Sequence, residues 1–253
     1  MVFSGRSVIV TGAGSGIGRA LAVGFCADGA QVMGIGRRES GLEETSRLCA
    51  GGRMQFVVGD VGQPDNVERL FSEALRLYGK VDVLVNNAAL YPKVAFLDCS
   101  HEDWSRVIYT NLVGMAHCCR LALPGMLDRE FGRIVNIGSL AWMGPIPSSS
   151  AYCASKGAVR PFTRALASEI DRDRYPDVLV NELLPGIVKT AMSDSGENPA
   201  DIYPHARFVA NLPRNGPTGM TYLQSTLYVE NHGLRARVRG IAGRIAQSLS
   251  GRR

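Results

Sequence analysis

Residues four apart on a helix share a face, so Lys156 in Tyr152-Cys153-Ala154-Ser155-Lys156 can lie beside the Tyr152 phenol, with Ser139 thirteen positions upstream. A free phenol titrates at roughly 10, too high to exchange protons readily at neutrality. A cation ~4 Å away at an effective dielectric of ~20 contributes about 4 kcal/mol, an upper figure of roughly three pKa units. Lys156 is therefore expected to lower the Tyr152 pKa and make the phenol an acid or base near pH 7. By itself a Tyr-x-x-x-Lys pair is better read as chance on an ordinary helix. The rest of the chain has to supply the context.

Apolar runs at 8–10, 32–35, 56–58, 81–85, 134–137 and 178–184 predict short strands buried on both faces. Between them lie stretches of helical period, such as Val67, Leu70, Phe71, Ala74, Leu75 and Tyr78. Alternating strands and helices imply an α/β fold with a doubly wound parallel sheet, Rossmann-like. Ligands of such sheets bind at the carboxyl ends of the strands, where the strand order switches. The candidate residues fall at such ends or on the helices that follow.

At 253 residues, 45% hydrophobic and 20% charged, the chain suits one soluble α/β domain. Its net charge of +5 is uneven: residues 231–253 hold six arginines and no acid, so no nucleic-acid footprint spreads over the body. The expected organisation is a catalytic and dinucleotide-binding domain over 1–230 followed by a basic amphipathic extension, an atypical C-terminal helix over 231–253. The six cysteines lack metal-like spacing and read as buried free thiols, and no metal site is expected. The first apolar run passes directly into a glycine loop, and nothing approaches the ~20 apolar residues of a membrane span, so a cytoplasmic protein is expected.

The first strand runs into Thr11-Gly12-Ala13-Gly14-Ser15-Gly16-Ile17-Gly18 and then a helix. Glycines allow a tight turn and a close approach of backbone N–H groups to a pyrophosphate at the helix N-terminus. Gly12, Ser15, Gly16, Ile17 and Gly18 are the candidate contacts. A glycine loop can be a mere turn, but this one follows a strand and opens a helix. The second strand ends in Gly36-Arg37-Arg38, where an NAD site usually has a carboxylate for the ribose hydroxyls. Arginine suits phosphate, so Arg37, with Arg38 and Ser15, is expected to hold the 2′-phosphate of NADP, with NAD the second choice.

These motifs, met in order across roughly residues 5–190, resemble the short-chain dehydrogenase/reductase family in its compact single-domain form. The resemblance implies an adenine contact at Asp60 and Val61 after the third strand. It implies a cofactor wall at Asn86-Asn87-Ala88-Ala89, with Asn86 and Ala88 as contacts, and a water-relay asparagine at Asn111. Pro185-Gly186-Ile187-Val188-Lys189-Thr190 resembles the loop that packs on the nicotinamide, giving Pro185, Gly186, Val188 and Thr190. The catalytic group implied is Asn111, Ser139, Tyr152 and Lys156, with Tyr152 and Lys156 also touching the cofactor. The implied reaction is hydride transfer between NADP(H) and a carbonyl or alcohol. Ser139 would polarise the substrate oxygen, Tyr152 would supply or remove the proton, and Lys156 would tune the phenol and hold the nicotinamide ribose. The alternative is a non-catalytic NADP-binding regulatory protein of the same fold, against which the presence of Ser139 argues, since cofactor binding alone does not require it.

The chain departs from the family pattern at several places. Ala89 replaces a glycine. Pro161 sits in the helix of Tyr152, where it cannot donate to the Gly157 carbonyl and should kink the helix; a homo-oligomer is expected, with this helix's subunit contact altered. Glu182 lies in an apolar strand, either facing substrate or, as the slightly favoured reading, pointing outward at the strand edge. Segment 215–222 could form a short last strand. Leu234, Val238, Ile241, Ile245 and Leu249 recur at helical spacing beside arginines, which suits docking on the protein's own body or another subunit better than peripheral membrane contact. Substrate loops are expected near 90–99, 140–151 and 187–217, with residues 191–217 long enough for a lid. Tyr91, Trp142, Met143, Met192, Tyr203, His205 and Phe208 point to a small or apolar ketone or aldehyde, although all could merely pack the loops and His205 could equally be a surface residue.

Overall fold

The near-continuous apolar runs form strands because each is covered on both faces. The computed structural model of the protein describes residues 1–190 and 192–229. β1 (Ser7–Thr11), β2 (Gln31–Gly36), β3 (Met54–Val58), β4 (Val83–Asn86), β5 (Gly132–Ile137) and β6 (Val178–Leu184) appear where apolar runs predict them. Segment 215–222 contributes β7 (Thr221–Leu223), and β8 (Thr226–Leu227) follows it. The sheet order is β3-β2-β1-β4-β5-β6-β7-β8, parallel except for the last pair. The order reverses between β1 and β4, so the crevice for a ligand opens above their carboxyl ends.

Successive side chains of a strand face opposite ways, and the core divides accordingly. Val8 and Val10 enter one cluster with Leu21, Phe25 and Val209. Ile9 enters the other, with Leu70, Phe71 and Met126. α1 (Gly16–Ala27), α2 (Glu39–Leu48) and α8 (Tyr203–Ala210) cover the first face. α3 (Pro64–Tyr78), α5 (Gly114–Asp128) and α7 (Val159–Ser168) cover the second. α3 begins with proline in its first turn and ends at Gly79, whose φ of 72° closes the helix in the left-handed form. Val67, Leu70, Phe71 and Ala74 are its buried stripe, but Leu75 is exposed, one position past the face that meets the sheet.

The helix is interrupted at the turn before Pro161, although Ala158 keeps helical dihedrals. The helix of the Tyr152 motif is broken into α6 (Ser150–Gly157) and α7, with Ala158 between them. Hydrogen bonding resumes at once, Phe162 N donating to Ala158 O at 3.1 Å. A second irregularity is a π-helical turn, Tyr109–Val113, joining α4 (His101–Ile108) to α5. Such turns often mark functional positions, and this one carries Asn111.

The lid expected over residues 191–217 is largely a structural layer. A 3-10 turn at Pro199–Ile202 leads into α8, and Ile202, Ala206, Val209 and Ala210 are buried. Tyr203, expected beside the substrate, instead packs edge-on against Phe25 at 5.2 Å and donates to Asp28 at 2.7 Å, with Arg207 on the same carboxylate. The ring lies over Gly24, where a Cβ would fall 2.2 Å from Tyr203 Cγ. Gly24→Ala should therefore cost about 1–3 kcal/mol of stability by forcing the ring off α1; an unchanged urea midpoint would show that the ring can yield.

Among the described residues no helix is long and apolar enough to cross a membrane. All six cysteines are free. The basic amphipathic segment expected over 231–253 lies outside the described residues.

Candidate active site

The glycine turn is built by close contact. Gly12 and Gly16 have φ of 70° and 53°, the left-handed region that favours glycine. A Cβ on Gly18 would fall 2.1 Å from the Gly12 carbonyl oxygen, so α1 can approach the turn this closely only without a side chain there. Ser15 caps α1 in extended conformation and makes no side-chain capping bond. The N–H groups of a helix start are orphaned and attract anions, so this twelve-residue helix and its turn fit a pyrophosphate. Ile17 follows in the first turn of α1, half-buried against the core.

Two further elements close on the turn. The Thr11 hydroxyl accepts from Asn87 N at 2.9 Å and Ala88 N at 3.0 Å, while Asn87 Nδ2 donates to Thr11 O at 2.9 Å. The loop after β6 arrives from the other side: a Cβ on Gly16 would meet Thr190 Cγ2 at 3.3 Å. Pro185 leads into Gly186, with φ of 83°, and Val188 is buried. After β3, Asp60 Oδ1 accepts from Gly62 N at 2.8 Å and fixes the turn, and Val61 is buried. Arg37 is exposed, and Arg38 is the exposed cap of α2; among the described residues neither joins an ion pair. Arg19, by contrast, is committed to Glu44 at 2.6 Å and Gly14 O at 2.8 Å, tying α2 to the turn.

Ser139 leaves β5 and caps a short 3-10 turn through Ala141 N at 3.1 Å, and its hydroxyl lies beside the Tyr152 phenol. Tyr91, after β4, stacks on the Tyr152 ring with centroids 4.3 Å apart. Lys156, one turn along α6, is buried and donates to the Ile137 carbonyl at 2.7 Å. Burial brings its pKa down to about 8, opposed by the charge of Glu182. Burial also pushes the Tyr152 phenol up from its usual value, and the neighbouring Ser139 hydroxyl opposes that rise. The lowering expected from Lys156 is thus not what the chain alone produces. The reason is desolvation of the phenol, while the ammonium is tied to a backbone carbonyl.

Asn111 joins three elements. Its Oδ1 accepts from Leu90 N at 2.7 Å, and its Nδ2 donates to Leu90 O at 2.9 Å and to Ser155 Oγ at 3.0 Å. Both amide hydrogens are spent, leaving one Oδ1 lone pair and the backbone of the π turn as places to hold a water. A small pocket beside it is lined by Thr11, Asn86, Thr110, Asn111, Cys118 and Lys156.

Two side chains depart from expectation. Asn86 directs its Nδ2 to Asn136 Oδ1 at 2.9 Å and to Cys119 Sγ at 3.3 Å, within a buried network that Asn136 extends to Thr163, so this amide braces β4 against β5. Glu182, slightly favoured as outward-facing, is fully buried, its Oε2 accepting from Thr221 Oγ1 at 2.7 Å. β7 makes the difference, covering an edge that would otherwise be open. Thr11, Ser155 and Asn136 escape a motif reading because their partners lie far along the chain. His205, half-buried on α8, pairs with Ser225 at 2.7 Å, and Phe208 packs on Tyr222 at 5.9 Å.

An anion cradle at the switch point, opening toward an adjacent serine and tyrosine with a buried ammonium one turn along the helix, is the arrangement of a dinucleotide-dependent oxidoreductase. The short chain dehydrogenase family profile matches residues 6–200. The chain is 34% identical over 194 residues to the meso-2,3-butanediol dehydrogenase of Serratia marcescens, covering 77% of this chain and 76% of that one. It is 33% identical over 190 residues to the 3-oxoacyl-(acyl-carrier-protein) reductase FabG of Haemophilus influenzae, covering 75% and 77%. Over 233 residues it is 34% identical to the 3beta-hydroxysteroid dehydrogenase of Mediterraneibacter gnavus, covering 89% and 79%. A solved short chain dehydrogenase/reductase family protein superposes with a TM-score of 0.79 at 32% identity, covering 88% and 96%. The chain belongs to the short-chain dehydrogenase/reductase family, and it is an oxidoreductase of that nicotinamide-dependent family.

Proposed function

We propose that the protein transfers a hydride between NADP(H) and a carbonyl or alcohol substrate, with Tyr152 as the acid and base. The observation that carries this reading is the convergence of Ser139 on the Tyr152 phenol, with Lys156 buried one turn along the same helix and anchored to the Ile137 carbonyl at 2.7 Å. When bound, the nicotinamide supplies or accepts the hydride. Ser139 donates to the substrate oxygen as negative charge gathers there. Tyr152, held protonated at neutrality by its burial, gives its proton to that oxygen. Lys156 acts on the phenolate left behind, where a full charge has replaced a neutral phenol, and it holds the nicotinamide ribose. Asn111 anchors the loop after β4 and the π turn, and keeps an oxygen for a relay water. Tyr152→Phe is the direct test of this assignment.

Gly12, Ser15, Gly16, Ile17 and Gly18 bind the pyrophosphate, Asp60 and Val61 the adenine. Ala88, Pro185, Gly186, Val188 and Thr190 line the nicotinamide half, and Asn86 supports that wall from below. NADP is favoured over NAD because β2 ends at Arg37 and Arg38 with no acid between Gly36 and the helix. A hydrogen bond to a charged group contributes about 1.5–3 kcal/mol. Arg37→Ala should accordingly lower kcat/KM for NADPH by about tenfold or more and leave that for NADH near its original value. Unchanged discrimination would remove the phosphate assignment.

The relatives' names speak of a diol, a 3-oxo group and a hydroxysteroid, which share only alcohol and carbonyl chemistry. For this chain an apolar ketone or aldehyde is favoured by exposed side chains on segments that follow β4, β5 and β6: Phe96, Leu97, Met143, Ile146 and Ile187. The first two of these segments are joined, Val94 N donating to Ser148 O at 3.1 Å. NADPH consumption against a panel of ketones, aldehydes and quinones, with NADP reduction by alcohols as its counterpart, identifies the substrate.

A further inference from the structure

Glu182 is a carboxylate in the middle of a buried, largely apolar strand, and neither the sheet nor the reaction as described requires it. It is fully buried, opposite Asn136 of β5 and Thr221 of β7 in register. Oε2 accepts the Thr221 hydroxyl at 2.7 Å, and Oε1 has no hydrogen-bond partner among the described residues. The carboxylate reaches across the sheet to the start of the catalytic loop, since a Cβ on Gly138 would fall 2.1 Å from Oε1. Gly138 immediately follows Ile137, whose carbonyl accepts from Lys156 Nζ at 2.7 Å, and immediately precedes Ser139. The glycine thus lets the strand carboxylate lie against the backbone that holds the buried ammonium.

We propose that Glu182 is a positioning residue, the counter-ion that keeps Lys156 protonated beneath Tyr152. This rests on the reading of Lys156 as part of the catalytic group. The cations acting on Glu182 are Lys156 of α6 and Arg160 of α7, with the Thr221 hydroxyl from β7. Of the other cations on neighbouring elements, Arg133 of β5 is bound to Asp177, and Arg207 of α8 is bound to Asp28 at 2.6 Å. Burial drives a lysine toward its neutral form and a carboxylate likewise, so two such groups each hold the other ionised. Its partners explain why the position tolerates an acid: an unpaired carboxylate would cost more there than one held by a hydroxyl and a nearby opposite charge. A neutral Lys156 would neither steady a phenolate nor hold its proton, so Glu182 sets the pH above which the site stops working.

The chain has only four lysines, at 80, 93, 156 and 189, which makes the titration of Lys156 directly readable. Protein labelled with 13C at lysine Cε and followed by NMR should show one signal titrating near pH 8, assigned by its loss in Lys156→Met. In Glu182→Gln that signal should titrate about one pH unit lower or more, because removing a negative charge favours the neutral amine. Glu182→Leu should give the same displacement and keeps the test open if the amide variant does not fold, since Lys156 can shed its proton rather than stay as an unpaired buried charge. A Lys156 titration unmoved in whichever variant folds would overturn the proposal and would leave Tyr152 as the proton donor untouched. Undiminished turnover in Tyr152→Phe would instead remove the catalytic reading without altering the lysine titration.

Discussion

Tyr152→Phe should lower kcat by about 10²–10⁴-fold, the range that a positioned general acid contributes, with the dissociation constant for NADPH nearly unchanged. The substitution keeps the ring, and with it the stacking on Tyr91 at 4.3 Å. It removes only the hydroxyl beside Ser139, which costs no more than about 1 kcal/mol in stability. Lys156 stays anchored to the Ile137 carbonyl, so the cofactor half of the site is preserved. Single-turnover rates and NADPH fluorescence titration together separate the two effects. The pH dependence follows from the direction of the phenol's shift: a tyrosine pushed up by burial is protonated at neutrality, so carbonyl reduction has its donor ready. Alcohol oxidation needs the phenolate and should accelerate as pH rises, up to the pH near 8 at which Lys156 loses its proton. A variant that reduces its substrate at the original rate sinks the assignment.

Gly18→Ala should be the most damaging substitution of the cofactor turn. Its Cβ would lie 2.1 Å from the Gly12 oxygen, 2.7 Å from the Gly12 carbonyl carbon and 2.6 Å from Asn87 Nδ2. None of these can retreat cheaply. Gly12 is backbone, and Asn87 is held at 2.9 Å by both the carbonyl and the hydroxyl of Thr11. The strain is relieved by moving α1 away from the turn, which carries the orphaned N–H groups off their focus. Overpacking of this kind costs about 1–3 kcal/mol of stability. Affinity for NADPH should fall by at least about tenfold, since charge-assisted bonds of about 1.5–3 kcal/mol each are displaced together. Urea unfolding and cofactor titration measure the two losses separately. Native affinity in the variant would mean that the phosphate does not sit on this turn.

Glu182 shows where reading the chain alone stops. In sequence it is one acid within Val178–Leu184, and an outward-pointing side chain is the economical guess for a strand of unknown position. The guess fails because β7 covers β6, and only the assembled sheet brings Thr221 and Gly138 to the carboxylate. Tyr203 fails for the same reason: a loop aromatic near the expected substrate region belongs to α8, which docks on α1 through Phe25 and Asp28. The downward shift of the Tyr152 phenol rested on a pairwise charge argument, and desolvation by the whole fold reverses its sign in the chain alone.

What the sequence determined by itself was local. Six apolar runs placed six strands, Pro161 placed the break between α6 and α7, and the glycine spacing placed the turn at the first strand–helix junction. Each is set by residues within a few positions of one another, where backbone sterics and side-chain period act directly. The tertiary structure decided which buried polar groups face one another: Asn86 with Asn136, Asn111 with Leu90 and Ser155, Glu182 with Thr221. These partners are separated by 21 to 50 residues in the chain. Hydrogen bonding and desolvation act through space, so no spacing rule along the sequence could have named them.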